Sequence, residues 1–154
     1  MSEEPPPLLN NRFTVSIEGS NPDSMRRDLG FSRISGLSSS AHTSVRLPLM
    51  RRLLGYLCRT CETNQIVLQR ALDTDHYFFD WHRANLRRTV DLRTLTIFQL
   101  DRQTGKPVNC WRLHDCWIIT WHGPDFNAMN SDISYETITL CYRSVSWLKS
   151  PGIS

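Results

Sequence analysis

Lysine is almost missing from this sequence. Of the 18 basic residues in 154, only Lys106 and Lys149 are lysines, and the rest are arginines. The rigid five-donor fork of arginine suits interface ion pairs and phosphate contacts. Yet the net charge is only +3, well below that of many nucleic-acid-binding domains, so the excess is weak ground for that class. No run of 18 apolar residues occurs, which excludes a helical membrane span. The opening Met1-Ser2-Glu3-Glu4-Pro5-Pro6-Pro7 is acidic where a secretory signal is basic, and only Leu8 and Leu9 precede Asn10-Asn11, so no signal peptide is expected. Catalytic frames are missing too: there is no G-x-S-x-G, P-loop, G-x-G-x-x-G or H-E-x-x-H. None of the 15 acidic residues forms a pair in a recognisable catalytic frame. Neither an enzyme nor a cofactor is expected.

What is present fits one folded domain. A chain of 154 residues buries roughly two-thirds of the surface its unfolded form exposes, without needing disulfides or a metal. Its 40% hydrophobic and 21% charged residues argue against disorder throughout. Positive charge is not spread evenly. Residues 1–50 and 101–154 each balance five basic against five acidic side chains, whereas residues 51–100 hold eight against five. The five cysteines (58, 61, 110, 116 and 141) are odd in number and read as reduced, mostly buried thiols.

Residues 1–11 read as a flexible or extended tail, since Pro5-Pro6-Pro7 favours polyproline geometry. Phe13, Val15 and Ile17 alternate with polar residues up to Glu18-Gly19, a half-buried strand and turn. A polar loop through Asn21-Pro22-Asp23 leads to a second short strand, Gly30 to Ile34, then a Ser-rich connection from Gly36 to Thr43. Leu47, Leu49, Met50, Leu53, Leu54, Tyr56 and Leu57 surround Arg51-Arg52. That stretch reads as an oligomer contact, a core segment or a membrane-surface segment, and it is too broken by arginine to span a bilayer.

Asn64 to Arg70 reads as a strand, and Asp73 or Thr74 as the cap of a helix running to about Arg88. Tyr77, Phe78, Trp81 and Ala84 share its apolar face, while Arg83, Arg87 and Arg88 suit its C-terminal end. From Asp91 the pattern is β: Leu92 to Leu100, a hairpin turn at Asp101–Gly105, a long strand from Asn109 to Trp121, a break at Gly123-Pro124-Asp125, and Tyr135 to Val145. The long strand is expected to bend or bulge near His114-Asp115, because Trp111 and Leu113 share a parity that Trp117, Ile119 and Trp121 continue. Six or more strands with one helix point to a mainly β fold, a small barrel or sandwich with the helix outside.

Little of this carries chemistry. Cys58-x-x-Cys61 has metal or redox spacing but no second such pair. Cys110, His114 and Cys116 share strand parity and would face one way, yet a zinc site would need Cys58 and Cys61 to complete it. Packing thiols and a polar histidine account for them. His76 and His82 fall on different sides of the helix, and Asp73, Asp75 and Asp80 read as caps or a solvated face. The five tryptophans (81, 111, 117, 121 and 147) read as core or interface residues rather than base-stacking platforms.

Several segments in order resemble a known family. They are Phe13-Thr14-Val15-Ser16-Ile17-Glu18-Gly19, Gly30-Phe31-Ser32-Arg33-Ile34-Ser35-Gly36-Leu37, Ile66-Val67-Leu68-Gln69-Arg70, the Phe79-x-Trp81 helix, Val90-Asp91-Leu92, and Gly105-Lys106-Pro107-Val108 feeding Trp111. The most specific part is Trp117-x-x-x-Trp121-x-Gly123-Pro124-Asp125-Phe126-Asn127-Ala128 with Glu136-Thr137-Ile138-Thr139-Leu140. Over roughly residues 12–146 the chain resembles the tail tube proteins of contractile phage tails and phage-tail-like injection systems.

The resemblance implies a mainly β fold, a small two-sheet β-barrel with one flanking helix, as a single domain over 12–148. It implies hexameric rings stacked into a hollow conduit inside a sheath, with spike and baseplate proteins at its end, and DNA or protein cargo in the lumen. Assembly would take place in the bacterial cytoplasm, without membrane insertion. Residues 37–63 would form an inter-ring extension, with Leu47, Leu49, Met50, Arg51, Arg52, Leu53 and Leu54 as its contacts. Gly123, Pro124, Asp125, Phe126 and Asn127 would form a turn at a subunit boundary. The helix at 74–88, with Trp81, Arg83, Arg87 and Arg88, would lie on the outer wall. Segment 44–54 departs from the polar, acidic, Gly-containing stretch usual in tube proteins, which leaves open a specialised tube-initiating or baseplate ring that links tube to spike. A further alternative is a free-standing binding module that uses the Cys/His cluster or the Arg-rich centre.

Overall fold

The structure, a computed structural model, describes residues 12–19, 27–39, 64–87, 90–129 and 131–149. The expected tail and nearly all of the expected extension lie outside those residues. In chain order the elements are β1 (Phe13–Gly19), β2 (Arg27–Leu29), β3 (Arg33–Ser35), β4 (Asn64–Ala71), α1 (Tyr77–Leu86), β5 (Arg93–Leu100), β6 (Pro107–His122), β7 (Tyr135–Tyr142) and β8 (Ser144–Lys149). The strand order is β2-β1-β5-β6-β7-β4-β3, with β8 also on β6. Every pairing is antiparallel.

The 16-residue β6 organises the whole. Its first half pairs with β5 on one side and β8 on the other, and its last residues, from Trp117, pair with β7. Two sheets therefore share one strand: β2-β1-β5-β6-β8 and β6-β7-β4-β3. Their inner faces meet in one core. Val15, Ile17, Leu95, Ile97 and Leu113 come from the first sheet, and Ile66, Leu68, Ile118, Ile138, Leu140 and Tyr142 from the second. Burying each such side chain is worth about 1.5–3 kcal/mol. The expected mainly β fold with one helix is present as two packed sheets, and among the described residues these stay open along their outer strands instead of closing into a barrel.

The bulge falls where the pattern placed it, but its effect differs. Asp115 has φ 53, and the register against β5 slips between Arg93 and Leu95. The buried side therefore changes parity, from Leu113 to Cys116 and Ile118. Trp117 and Ile119 do not continue the core face of Leu113; the inserted residue turns them away. Chain direction also changes at Arg143, whose N–H donates to the His114 carbonyl at 3.0 Å where β7 gives way to β8.

Two short elements differ from the sequence reading. The strand expected over Gly30–Ile34 forms at Arg33–Ser35, and β2 lies in the stretch read as polar loop. Three-residue strands held by backbone pairing leave no hydrophobic alternation to read. After β3 the chain turns at Gly36, whose φ is +88, and a Cβ there would sit 2.8 Å from the Gln65 carbonyl oxygen. Only glycine fits that approach. Beyond it, the Ser38 N–H donates to the Tyr142 hydroxyl at 3.0 Å, tying the segment to β7. The hairpin at Asp101–Gly105 is as expected. Its Asp101 carboxylate accepts the Thr104 N–H at 2.9 Å and hydroxyl at 2.8 Å, which holds its pKa below the usual carboxylate range.

Helix α1 starts later than expected, with His76 at its N-cap and no side chain bonded there. Asp73 does not cap it. Its carboxylate instead accepts the Asp75 N–H at 2.6 Å and Arg70 Nη2 at 2.8 Å. The helix buries Phe78, Trp81 and Asn85, three or four residues apart and so on one face. Trp81 Nε1 donates to the Asp91 carbonyl at 2.8 Å, and the Asp91 N–H donates to Asn85 Oδ1 at 2.9 Å. The Arg93 guanidinium lies 4.6 Å from the Trp81 ring centroid and 4.9 Å from that of Tyr77. Helix, return loop and β5 are therefore one packed unit.

Candidate assembly surfaces

The turn after β6 is the most exposed apolar stretch described. Gly123 can follow Trp121 because it has no side chain: a Cβ would come 2.8 Å from the indole. Asp125, Phe126 and Asn127 then point into solvent, and Phe126 is 88% exposed. Asn127 Oδ1 accepts the Met129 N–H at 3.0 Å, closing a local turn. Beneath the loop lies an open groove of about 760 Å³ lined by residues including His122, Asp125, Asp132, Ile133 and Tyr135. Sequence reasoning picked out Gly123 to Asn127 but missed Met129 and Ile133, 91% and 65% exposed, which have no periodic context to mark them.

On α1, Trp81 is 1% exposed and is a core residue, so it offers nothing to an outer contact. Arg83 is exposed, with its guanidinium 5.9 Å from the Phe79 ring centroid. Arg87 is exposed at the C-cap, where its N–H reaches the Ala84 carbonyl at 3.2 Å. Arg88 lies outside the described residues, as do Leu47, Leu49, Met50, Arg51, Arg52, Leu53 and Leu54.

The shared-face expectation for Cys110, His114 and Cys116 is overturned by the bulge. Cys116 turns into the core beside Leu113. Cys110 and His114 stay on the other face of the first sheet, opposite in parity to Trp111 and Leu113. Cys110, Cys116 and Cys141 are buried, and burial pushes the Cys116 thiol up to about 12. Among the described residues no group of three metal-ligating side chains comes together; Cys58 and Cys61 are not among them. His114 Nε2 lies 3.0 Å from Ser146 Oγ, while the adjacent Asp115 carboxylate is taken up by Arg143 at 3.1 Å.

The outer edge of β8 is the third surface. Trp147 is 71% exposed, and its ring stacks on Trp111 with centroids 6.0 Å apart and planes 24° apart. Register aligns Leu29, Val15, Ile97, Trp111 and Trp147 directly across five strands. Nothing in the local sequence marks Trp147 as an edge residue, because the edge exists only once β8 has paired with β6.

Two packed sheets with open edges and one flanking helix define a small β domain with surfaces suited to assembly. The family model of the T4-like virus tail tube protein gp19 matches residues 9–146, and the chain belongs to that family. It is a tube-type subunit of a contractile system. Among solved structures it is similar to a chain of an extracellular contractile injection system, the PVC sheath-tube complex in its extended state. That match has 19% identity and a TM-score of 0.70, covering 93% of this chain and 92% of the other. A chain of the 6-fold symmetrised anti-feeding prophage baseplate matches at 20% identity and TM-score 0.69, covering 95% and 98%. Hcp1 from Flavobacterium johnsoniae matches at 11% identity and TM-score 0.54, covering 89% and 96%. No curated protein matches the sequence significantly. No described helix is long and apolar enough to cross a membrane.

Proposed function

We propose that six copies of this chain close into a ring, and that rings stack into a hollow tube within a contractile sheath. The role is structural and non-enzymatic. The observation that carries this reading is the tail tube family match along nearly the whole fold. The edges of the first sheet, open among the described residues, support it: edge strands are liabilities in a monomer and become joints in a closed ring. So do the relatives whose structures are a sheath-tube complex and a 6-fold symmetrised baseplate. Sheath, spike and baseplate proteins are the expected partners, and assembly takes place in the bacterial cytoplasm.

Within that ring, residues 37–63 reach the adjacent ring, and Gly123 to Asn127 lie at a subunit boundary. Helix α1 faces outward with Arg83, Arg87 and Arg88. The face of the first sheet turned from the core carries Ser16, Thr96, Arg112 and Ser146 in one register row and Thr14, Phe98, Cys110 and Leu148 in the next. Mixed hydroxyl and apolar with little charge, that face lines a conduit through which DNA or protein passes. Electron microscopy of the purified protein is expected to show rings and continuous stacks. A monodisperse monomer even at high concentration overturns the reading, and single rings that never stack mark a tube-initiating or baseplate ring instead.

A further inference from the structure

We infer that β8 is the strand through which one copy joins the next, and that Trp147, seated on Trp111, anchors the joint. The inference rests on the ring reading above, and its partner is a second copy of this chain. The row Leu29, Val15, Ile97, Trp111 and Trp147 crosses the first sheet from edge to edge. It is core at its centre, where Val15 is 0% and Ile97 6% exposed, and it runs out into solvent at Trp147, 71% exposed. A hydrophobic row that leaves the core and ends in an open tryptophan on an edge strand has no reason to do so in a monomer.

The tryptophan is also held in place before any partner arrives. Its ring stacks on Trp111, and its Nε1 donates to Asn109 Oδ1 at 3.2 Å. The Asn109 amide is itself fixed, donating to Gln99 Oε1 at 2.8 Å. A side chain already ordered loses little freedom on burial, and tryptophan is among the residues most enriched at binding hot spots. Phe126 and Met129 are more exposed still, but they sit on a loop with no comparable seat.

The other end of the row points to the occupant. Leu29, half-buried, lies on β2 at the opposite edge of the same sheet. One edge ends in an apolar anchor and the other in an apolar receiver, so copies meet head to tail, the kind of joint a closed ring repeats. Beside the row, the outer edge of β8, which pairs with no other strand among the described residues, offers its backbone for strand addition.

The test uses the full-length chain. Trp147→Ser is expected to raise the concentration at which rings half-form by about thirtyfold or more, read by sedimentation velocity. Trp147→Phe, which keeps a flat apolar ring, restores most of the assembly. Circular dichroism and the melting temperature of the Ser variant's monomer stay near wild type, since Trp147 is mostly solvated. Should the Ser variant not fold, hydrogen exchange on the wild type decides. Amides of Ser144–Lys149 are expected to gain protection in the ring relative to the dilute monomer. Rings that persist in Trp147→Ser, or a β8 that exchanges equally in ring and monomer, overturn the joint and leave the ring reading standing. A wild type that forms no ring overturns both.

Discussion

Arg70 and Glu136 oppose each other across β4 and β7 with 2.7 Å between Nε and Oε1, and their side chains are only 3% and 4% exposed. Three further contacts surround the pair: Trp121 Nε1 donates to Glu136 Oε2 at 2.8 Å, Arg70 Nη2 also meets the exposed Asp73 carboxylate at 2.8 Å, and the Arg70 guanidinium lies over the Phe78 ring at 5.4 Å. Losing Glu136 leaves the buried guanidinium with Asp73 alone. Glu136→Gln is therefore expected to lower stability by about 1.5–3 kcal/mol in denaturant unfolding, with the double change Arg70→Met/Glu136→Leu recovering most of it. Cys116 gives a pH signature. Its thiol stays protonated in the native state up to about 12, against an ordinary value of 9.0, so above pH 9 the unfolded chain binds fewer protons than the folded one. Stability from this group is then lost as pH rises between those two values. Cys116→Ala should remove that part of the alkaline decline, measured as unfolding free energy against pH. Neither feature was legible beforehand: Arg70 and Trp121 sit in patterns that do not reveal which acid lies across the strand.

At the scale of elements, period and parity went far and then failed at one residue. β1, β4, β7 and the aromatic face of α1 were legible from a clear hydrophobic repeat, and β5 from its density of Leu, Ile, Phe and Thr, although β1 and β5 are buried on both faces at their centres. Along β6 the same logic located the bend but carried the parity of Leu113 straight through it; the positive φ of Asp115 turned Cys116 and Ile118 inward instead, and a second register shift between Ile118 and Thr120 brought Trp121 back against the core. Left-handed backbone disfavours β-branched residues most strongly. Asp115→Val is thus expected to destabilise by about 1–3 kcal/mol. Asp115→Gly should stay close to neutral, since the Arg143 pair it gives up is largely exposed. Thermal unfolding of the two variants checks this, and equal losses would mean the bulge is not held by that backbone conformation. The short β2 and the late start of α1 escaped notice for another reason, since each depends on what the neighbouring chain pairs with or packs against.

For the molecule as a whole, the arginine excess in residues 51–100 changes meaning. Arg70 is locked in a buried ion pair and Arg93 between two aromatic rings, so neither is surface charge for a partner. Arg83 and Arg87 do remain exposed on α1. The assembly reading makes a separable prediction at the turn after β6. Phe126→Ser should leave monomer stability within about 0.5 kcal/mol, because the ring is almost fully solvated, while lowering the yield of rings or stacks seen by electron microscopy. Unchanged assembly would show that Gly123 to Asn127 is not a subunit boundary.

The sequence by itself determined a mainly β fold with one amphipathic helix, because alternation and helical period are local properties of the chain. The order of its segments also carried the tail tube resemblance. Only the tertiary structure decided which strands are edges, which face of β6 is buried after Asp115, and that Trp81 belongs to the core while Trp147 stands at a rim. Those outcomes depend on pairing between residues far apart in sequence, and one inserted residue in a strand is enough to reverse them.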